Sequence, residues 1–308
     1  MNDSKKRIGF LLLGFALGIG IIFFAFSNNT KENNDCINPA PSVIVSDLYI
    51  PDSCSIFNEK VPLEYFEVTE SLERELLVNV YYQSQTVQFI KYVHRYFPIM
   101  DSIFAKYNVP SDFKYVALAE SGLKVNISPK GAAGFWQFLE STARENDLIV
   151  NDYIDQRYDL IKSTEAACKF LLQSYQKFGS WTMVAASYNL GMGGLKKQSE
   201  FQKITSYYDL YTNSETARYV FRIIALKLII ENPEKYGYQN LKPYPAIPYS
   251  TITVDSTISN LVDFAASQGS NYKMIKMMNP WLREKSLPNE SHTPYKIIII
   301  KNSDRKIK

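Results

Sequence analysis

Histidine and cysteine are scarce in this sequence, and their scarcity limits its chemistry. The two histidines, His94 and His292, have no cysteine or second histidine at ligand spacing, which argues against a zinc site. Of the three cysteines, Cys36 and Cys54 could form a disulfide if the chain is exported, while Cys168 lies in a helical pattern and is expected in the core. The sequence identifies no cysteine nucleophile with a histidine partner. We therefore expect no metal ion and no other cofactor.

Excess charge is also small. The formal net charge is +3, and residues 1–7 contribute +2 of it, which leaves about +1 for the rest of the 308-residue chain. A protein that neutralises nucleic-acid phosphates needs a stronger positive field, so no nucleic-acid partner is expected. The hydrophobic content of 46% is enough for a sizeable core, either as one large domain or as two smaller ones.

An uncharged apolar run of 19 residues, Ile8 to Phe26, follows a basic cluster near the N-terminus. As a helix it would be roughly 28 Å long, close to the hydrocarbon thickness of a bilayer. The basic flank predicts a cytoplasmic N-terminus and export of the remainder. We expect residues 1–27 to form a retained anchor of a periplasm-facing envelope protein. Cleavage after Ser27, which would release the chain, is the alternative.

Composition and periodicity divide the rest of the chain. Residues 28–65 are polar and begin with a stretch rich in Asn, Asp, Ser and Pro, which predicts a tether. Residues 66–240 carry helical periodicity without βαβ alternation, and Pro98 is expected near a break between two helices. Further on, helices are predicted over residues 163–178, over 181–190 with Ser180 as N-cap, and over 215–232 with Ser214 as N-cap.

The C-terminal part, residues 241–308, has a different character. It opens with a linker that holds three prolines in nine residues. Thr251–Val254 and Tyr295–Ile300 are predicted strands, and Ile258–Ser267 and Tyr272–Met278 are predicted helices between them. The fold class is therefore mainly α, with a small βααβ module at the C-terminus.

One carboxylate, Glu120, stands at the end of an apolar helical run. Phe113, Val116 and Glu120 follow the spacing i, i+3 and i+7, which places the acid on the face directed to the core. Gly122 is a natural end for this helix. Partial burial without a cationic partner would raise the pKa of the glutamate, as a general acid near neutral pH requires. The alternative is a helix-end glutamate that reaches water.

Four short blocks combine polar side chains with glycine or with apolar helical sequence. They are AESG at residues 119–122, GAAGFWQ at 131–137, ASYNLG at 186–191 and ETARYV at 215–220. In this order they resemble the lysozyme-like lytic transglycosylases, whose blocks read ESG, GLMQ, AYNAG and ETxxYV. The resemblance covers roughly residues 112–232 and implies a lysozyme-like helical catalytic domain.

The resemblance also implies a reaction on peptidoglycan. In this family one glutamate, here Glu120, protonates the glycosidic oxygen between N-acetylmuramic acid and N-acetylglucosamine. It then accepts a proton from the muramic C6 hydroxyl, which attacks C1 and gives a 1,6-anhydro end without hydrolysis. The implied enzyme is a lytic murein transglycosylase, a carbon–oxygen lyase that acts on polysaccharide during cell-wall remodelling.

The pattern of acids agrees with a single catalytic carboxylate. Ordinary glycoside hydrolysis uses two carboxylates, and no second acid lies between Glu120 and Gln137. Asp147 or Asp159 could still reach the site in the folded chain. A lysozyme-type muramidase and a non-catalytic cell-wall-binding protein are therefore the alternatives to the lyase. The expected partners are peptidoglycan glycan strands and, through the N-terminus, a membrane; a monomer is expected.

Further roles follow from the resemblance position by position. For four of these positions the residues alone offer an alternative. Ser121 could be a helix-end cap and Gln137 a helix-surface amide. Tyr188 could be a core residue and Glu215 a charge at a helix N-terminus. The implied substrate-binding residues are Ser121, Ser128, Gln137, Tyr188, Asn189 and Glu215, and the implied structural glycines are Gly131, Gly134 and Gly191.

The C-terminal module resembles a LysM module. The matching positions are residues 255–258, Leu261, Gly269, Ile275 and residues 279–282. Residues 259–266 and the last strand depart from the pattern, the latter because it lacks the xIP ending. The resemblance thus implies either a sugar-binding module or a degenerate structural one.

Overall fold

α-Helices make up most of the regular structure in the computed structural model, which describes residues 47–306. The predicted anchor and Cys36 lie outside the described residues. None of the helices between residues 47 and 306 combines the length and the apolar character that a membrane crossing requires. The helices before the C-terminal module are α1 (Phe66–Tyr81), α2 (Gln83–Tyr107), α3 (Lys114–Ser121), α4 (Glu140–Glu145), α5 (Leu160–Phe178), α6 (Trp181–Leu190), α7 (Met192–Gln202) and α8 (Ser214–Glu231).

The core of this helical part forms around α8. Helix α1 packs along α8 through a buried apolar stripe that includes Leu72, Leu76 and Val80. Helices α3 and α6 contact α8 as well, so α8 is packed against several partners. Its buried side chains include Tyr219 and Ile223, which face this core. The residues that α8 carries are therefore held firmly in place by packing on several sides.

Helix α2 runs unbroken through Pro98, so the predicted break at this proline is wrong. Proline removes one backbone donor, and the carbonyl that loses its partner belongs to His94. Both residues lie on the exposed face, where water can satisfy that carbonyl. Phe97 and Met100 on the buried face pack into the core and hold the helix together across the proline.

Residues 55–61, which the sequence analysis assigned to the tether, pack into the core. Strands β1 (Ser55–Ile56) and β2 (Glu59–Lys60) form a short antiparallel hairpin, and Ile56, Phe57 and Val61 are fully buried. The carboxylate of Glu59 accepts hydrogen bonds from the first backbone N–H groups of α6, those of residues 181 and 182. This acid therefore supplies a negative charge at a helix N-terminus.

The ends of the later helices agree closely with the predictions. Ser180 caps α6 as expected, and its Oγ accepts a hydrogen bond from the N–H of Met183. Helix α5 begins earlier than predicted, because Asp159 caps it and accepts from the N–H groups of residues 161 and 162. Helix α8 begins at Ser214, and its N-cap is Asn213 instead of the predicted Ser214.

The predicted βααβ module is confirmed. Strands β3 (Ser250–Val254) and β4 (Tyr295–Ile299) pair antiparallel, with Ser250 opposite Ile299 and Val254 opposite Tyr295. Helices α9 (Leu261–Ser267) and α10 (Tyr272–Met278) lie between them in the chain. The fully buried apolar side chains of the module are those of Leu261, Ala265, Ile275, Leu282, Leu287 and Ile297.

The proline-rich linker runs along α2. The N–H of Tyr244 donates to the carbonyl of Lys91, and the Lys91 ammonium donates back to the carbonyl of Lys242 at 2.7 Å. Arg95 donates to the carbonyl of Pro245, and its guanidinium lies over the Tyr244 ring. The linker is therefore fastened to the helical part of the chain before the module begins.

Candidate active site

Glu120 is the penultimate residue of α3, at the point where this short helix leaves the core. Residues 115–118 are buried, while Glu120 is partly exposed. Gly122 ends the helix in the left-handed conformation, with φ at 62°. A Cβ at this position would lie 2.8 Å from a ring carbon of Phe89, so the site needs glycine for space as well as for backbone geometry.

The surroundings of Glu120 favour its protonated form. Burial raises the pKa of Glu120 above the ordinary value of 4.5 and is the largest influence on it. The Tyr219 phenol donates a hydrogen bond of 2.5 Å to Oε1, and this bond lowers the pKa in part, as does the charge of Arg222. The negative charge of Glu215 raises it. The net effect is a raised pKa, which suits a general acid.

Tyr219 and Arg222 are site residues that the sequence analysis did not identify. Tyr219 belongs to the fourth block but received no role there, and the assumption that Glu120 has no cationic neighbour is corrected by the charge of Arg222. A signal was available in the fourth block, because Tyr219 follows Glu215 by one helical turn and so shares its face. Burial and the charge of Glu120 hold the pKa of Tyr219 well above its usual range, so the phenol stays a donor.

Residues 126–138 form a compact loop, called here the cleft loop, that follows α3. The N–H of Ser128 donates to the carbonyl of Ala132, and the Ser128 hydroxyl accepts from the Ala132 N–H at 3.0 Å. The N–H of Gly134 donates to the carbonyl of Asn126. Ser128 thus serves the turn itself through its backbone and its side chain.

Gln137 lies in the cleft loop, before the start of α4, and is therefore not the helix-surface amide considered as an alternative. Its φ is 49°, in the region that non-glycine residues seldom adopt. Its side-chain amide donates to the carbonyls of Gly134 at 2.9 Å and Asn126 at 3.2 Å. These bonds hold the glutamine side chain against its own loop.

Ser121 connects the end of α3 to the cleft loop. Its hydroxyl is buried, lies 2.8 Å from the carbonyl oxygen of Phe135 and accepts from the N–H of Leu123. The serine beside the acid therefore bonds to backbone groups on both sides. Its position fixes where the helix end meets the loop.

Tyr188 joins α6 to the same loop from another side. Its hydroxyl donates to the carbonyl of Trp136 at 2.6 Å, and its ring packs against Trp136, Phe138 and Phe170. Burial raises the pKa of Tyr188 well above its usual value, and the charge of Glu120 raises it further. The tyrosine is thus both a packing residue and a neighbour of the acid.

Asn189 and Glu215 meet where the end of α6 approaches the start of α8. The Asn189 amide donates to Glu215 Oε1 at 3.1 Å, and its oxygen accepts from the Thr216 hydroxyl at 2.7 Å. The two acids left open by the sequence are engaged elsewhere: Asp147 pairs with Lys169 and Asp159 caps α5. Glu215 is thus the acid whose charge acts on Glu120.

The predicted structural glycines have different surroundings. Gly131 and Gly134 both have a φ of 79°, and Gly191 has a φ of 83°. A Cβ at Gly134 would lie 1.7 Å from the carbonyl oxygen of Arg157, whereas a Cβ at Gly131 or Gly191 would meet open space. Close backbone approach thus requires glycine at Gly134.

The site offers acid–base groups and no candidate metal ligands. Within residues 47–306, no cluster of three or more His, Cys, Asp or Glu side chains is arranged to hold a metal ion. Glu120 is a single carboxylate with a raised pKa, and it lies next to a phenol donor and a loop of exposed and polar groups. A carboxyl group in this setting can deliver a proton and take it back.

Comparison with known proteins agrees with this arrangement. Residues 101–210 match the sequence profile of the family described as "Transglycosylase SLT domain", and residues 250–303 match "Soluble lytic transglycosylase C-terminal LysM-like domain". The chain is also 32% identical over 138 residues to "Membrane-bound lytic murein transglycosylase D" from Escherichia coli strain K12, and equally to that from Escherichia coli O6:H1. The match covers 43% of this chain and 30% of each relative. The resemblance drawn from the four blocks is confirmed: this chain contains a lysozyme-like transglycosylase SLT domain followed by a LysM-like domain.

Proposed function

We propose that this chain is a peptidoglycan lytic transglycosylase that cleaves the β-1,4 bond between N-acetylmuramic acid and N-acetylglucosamine and leaves 1,6-anhydromuramic ends. The observation that carries the proposal is Glu120, a partly buried carboxyl with a raised pKa and a phenol hydrogen bond, inside an SLT domain. As such it is a carbon–oxygen lyase that acts during cell-wall remodelling.

The first step uses the raised pKa of Glu120. A larger fraction of this carboxyl is protonated near neutral pH than for an exposed glutamate, so it can protonate the glycosidic oxygen as the bond to C1 breaks. Tyr219 donates to Oε1, which leaves Oε2 as the oxygen that exchanges the proton. The phenol bond strengthens as the carboxylate becomes charged, because hydrogen bonds to ionised acceptors are stronger than neutral ones.

In the second step the Glu120 carboxylate accepts the proton of the muramic C6 hydroxyl while that oxygen bonds to C1. The carboxyl is then restored and water is not consumed. Single-acid chemistry of this kind fits a site where Asp147 and Asp159 serve other contacts. Glu215 is bonded to Asn189, and its charge raises the pKa of Glu120, so its proposed role is to keep the acid protonated.

The other predicted residues receive roles that depend on their contacts. Gln137, Asn189 and Glu215 are proposed to contact the glycan, since their polar groups lie on partly or fully exposed residues. Ser121 and Ser128 are proposed to act through the cleft loop, because their hydroxyls bond to its backbone. Tyr188 is proposed to support the loop beneath the sugar through the Trp136 carbonyl.

Cell-envelope placement is part of the proposal. The relatives from Escherichia coli carry "membrane-bound" in their names, and the uncharged run at residues 8–26 of this chain has the length of a membrane anchor. We infer a monomer that faces the periplasm and works on glycan strands. Sequencing the N-terminus of the mature protein distinguishes a retained anchor from a cleaved one.

The product decides between the lyase and its alternatives. Mass spectrometry of digested sacculi should find 1,6-anhydromuramic ends, and Glu120→Gln should abolish their formation with the fold intact. Reducing ends alone would establish a muramidase, in which water is the nucleophile. Binding to sacculi without release of any soluble fragment would establish a non-catalytic cell-wall-binding protein.

A further inference from the structure

The hydrophobic core of the LysM-like domain continues into the catalytic domain. Ile154 and Tyr158, from the segment between α4 and α5, and Ala133 of the cleft loop belong to the same buried cluster as Trp281 and Leu282 of the module. All five side chains are 5% exposed or less, as in a domain core. The module and the cleft loop therefore share packing.

Backbone hydrogen bonds fix this junction. Ile154 forms an isolated antiparallel bridge with Leu282, and the N–H of Asp155 donates to the carbonyl of Trp281 at 2.9 Å. In the other direction, the N–H of Arg283 donates to the carbonyl of Tyr153 at 2.8 Å. Three successive residues of each segment take part, so the register between them is defined.

The same segment holds the cleft loop on its other side through Arg157. The Arg157 guanidinium donates through Nη1 to the carbonyls of Gly131 at 3.0 Å and Phe138 at 3.2 Å, at the middle and the end of that loop. Nε and Nη2 donate to the Asp155 carboxylate at 2.7–3.2 Å. Both side chains are 8% exposed, so this fork is buried.

A buried ion pair of this kind is better suited to fixing geometry than to adding stability. Asp155 orients the guanidinium through a bidentate pair, and the guanidinium then has one remaining nitrogen for the two loop carbonyls. The carbonyl of Arg157 lies where a Cβ of Gly134 would stand, so the loop backbone fits closely against the segment. Any shift of Asp155 would pass directly to the loop.

We propose that the LysM-like domain acts as a fixed brace of the active site, and that Asp155 and Arg157 are positioning residues that transmit its support to the cleft loop. The brace fixes the positions of the Phe135 and Trp136 carbonyls, which accept hydrogen bonds from the hydroxyls of Ser121 and Tyr188. It thereby fixes the distance between the loop and Glu120. The linker that leads into the module is bonded to α2 at residues 242–245. This inference rests on the proposed transglycosylase reaction for its kinetic part only.

Two variants of the full chain test the brace from its two sides. Arg157→Lys keeps the charge opposite Asp155 but loses the planar fork that reaches both carbonyls. Leu282→Ala loosens the junction from the module side. The matched controls are Arg305→Lys, at an exposed arginine that bonds only to Asn302, and Met277→Ala, at an exposed position of α10.

Hydrogen exchange of the cleft loop is the first readout, because it is independent of activity. The amides of Ala133 and Gly134 should exchange about tenfold faster in both test variants and at the wild-type rate in both controls. Kinetics on a short soluble glycan oligomer are the second readout. There kcat should fall by about tenfold to a hundredfold, since small misplacements of catalytic groups have effects of this size, while KM changes less.

Several outcomes would overturn the brace. Wild-type loop exchange and wild-type kcat in Arg157→Lys would refute it even if Leu282→Ala fails to fold. Reduced sacculus binding with unchanged kcat on the short oligomer would show that the module is an anchor for glycan instead. If the wild-type protein itself forms no anhydro product, the proposed function fails, and loop exchange still decides the brace.

Discussion

Replacing Tyr219 with phenylalanine tests the protonation of Glu120, the proposed catalytic acid, most directly. The change removes one hydroxyl, which donates to Glu120 at 2.5 Å, and leaves the buried ring in place. Hydrogen bonds to charged groups contribute about 1.5–3 kcal/mol, and one pKa unit corresponds to about 1.4 kcal/mol. Because the phenol bond lowers the pKa of Glu120, its loss should raise that pKa further.

The assay is the pH dependence of kcat/KM for anhydro-product formation. In the proposed mechanism the rate falls at high pH as Glu120 loses its proton, so in Tyr219→Phe this alkaline limb should move to higher pH. The plateau should also fall, because a weaker acid donates its proton less readily. Tyr207→Phe is the matched control, since it removes another buried phenol that donates to carbonyls of α8 without contacting Glu120. An unshifted limb in Tyr219→Phe, equal to that of the control, would refute the assignment of Glu120 as the acid.

Three further predictions concern stability. The pKa of Glu120 is raised from 4.5 in the folded state, so folding binds protons above pH 4.5, and stability is lost as pH rises through the folded pKa. In denaturant titrations Glu120→Gln should therefore be more stable than wild type near pH 7. Below about pH 4 this gain should be absent. Gly134→Ala should lower the free energy of unfolding by more than about 3 kcal/mol, while Gly131→Ala, with the same φ of 79° but open space, should lose about 1–2 kcal/mol; equal losses would contradict the close approach of Arg157. Glu59→Gln should lower stability by about 0.3–1 kcal/mol in calorimetry through the α6 N-terminus, and an unchanged melting temperature would show that this charge is inert.

Local signals in the sequence predicted much of the architecture. Helix α6 and its Ser180 cap, the end of α3 at Gly122 and the βααβ module all depend on neighbouring residues, and each is found as predicted. Composition gave the wrong prediction at residues 55–61, because this mostly polar segment contains three residues, Ile56, Phe57 and Val61, that are buried in the core. The helix break predicted at Pro98 was wrong, since the effect of a proline on a helix depends on which face it occupies.

Only the short sequence blocks of the candidate site could be predicted from the sequence. Glu120 and its glycine turn could be identified from spacing, but the partner of its carboxyl is 99 residues away in the chain. A tyrosine on an apolar helix face gives no indication of where its hydroxyl points. The pair formed by Asp155 and Arg157 could not be predicted either. Its proposed function depends on hydrogen bonds to two loop carbonyls, and sequence spacing does not relate these carbonyls to the pair.

The matched SLT region, residues 101–210, contains the acid but not all of the groups that control it. Tyr219 lies beyond its end on α8, and α8 is in turn held by a residue before its start. Glu75 of α1 is fully buried, and its carboxylate accepts from Arg218 of α8 at 2.6 Å. Arg218 and Tyr219 are consecutive, so the helix that presents the phenol to Glu120 is fixed in rotation by an ion pair with the fully buried Glu75, one residue away. The pKa of Glu120 therefore depends on α8 residues beyond the end of the matched region, and α1, which lies before its start, holds that helix through Glu75.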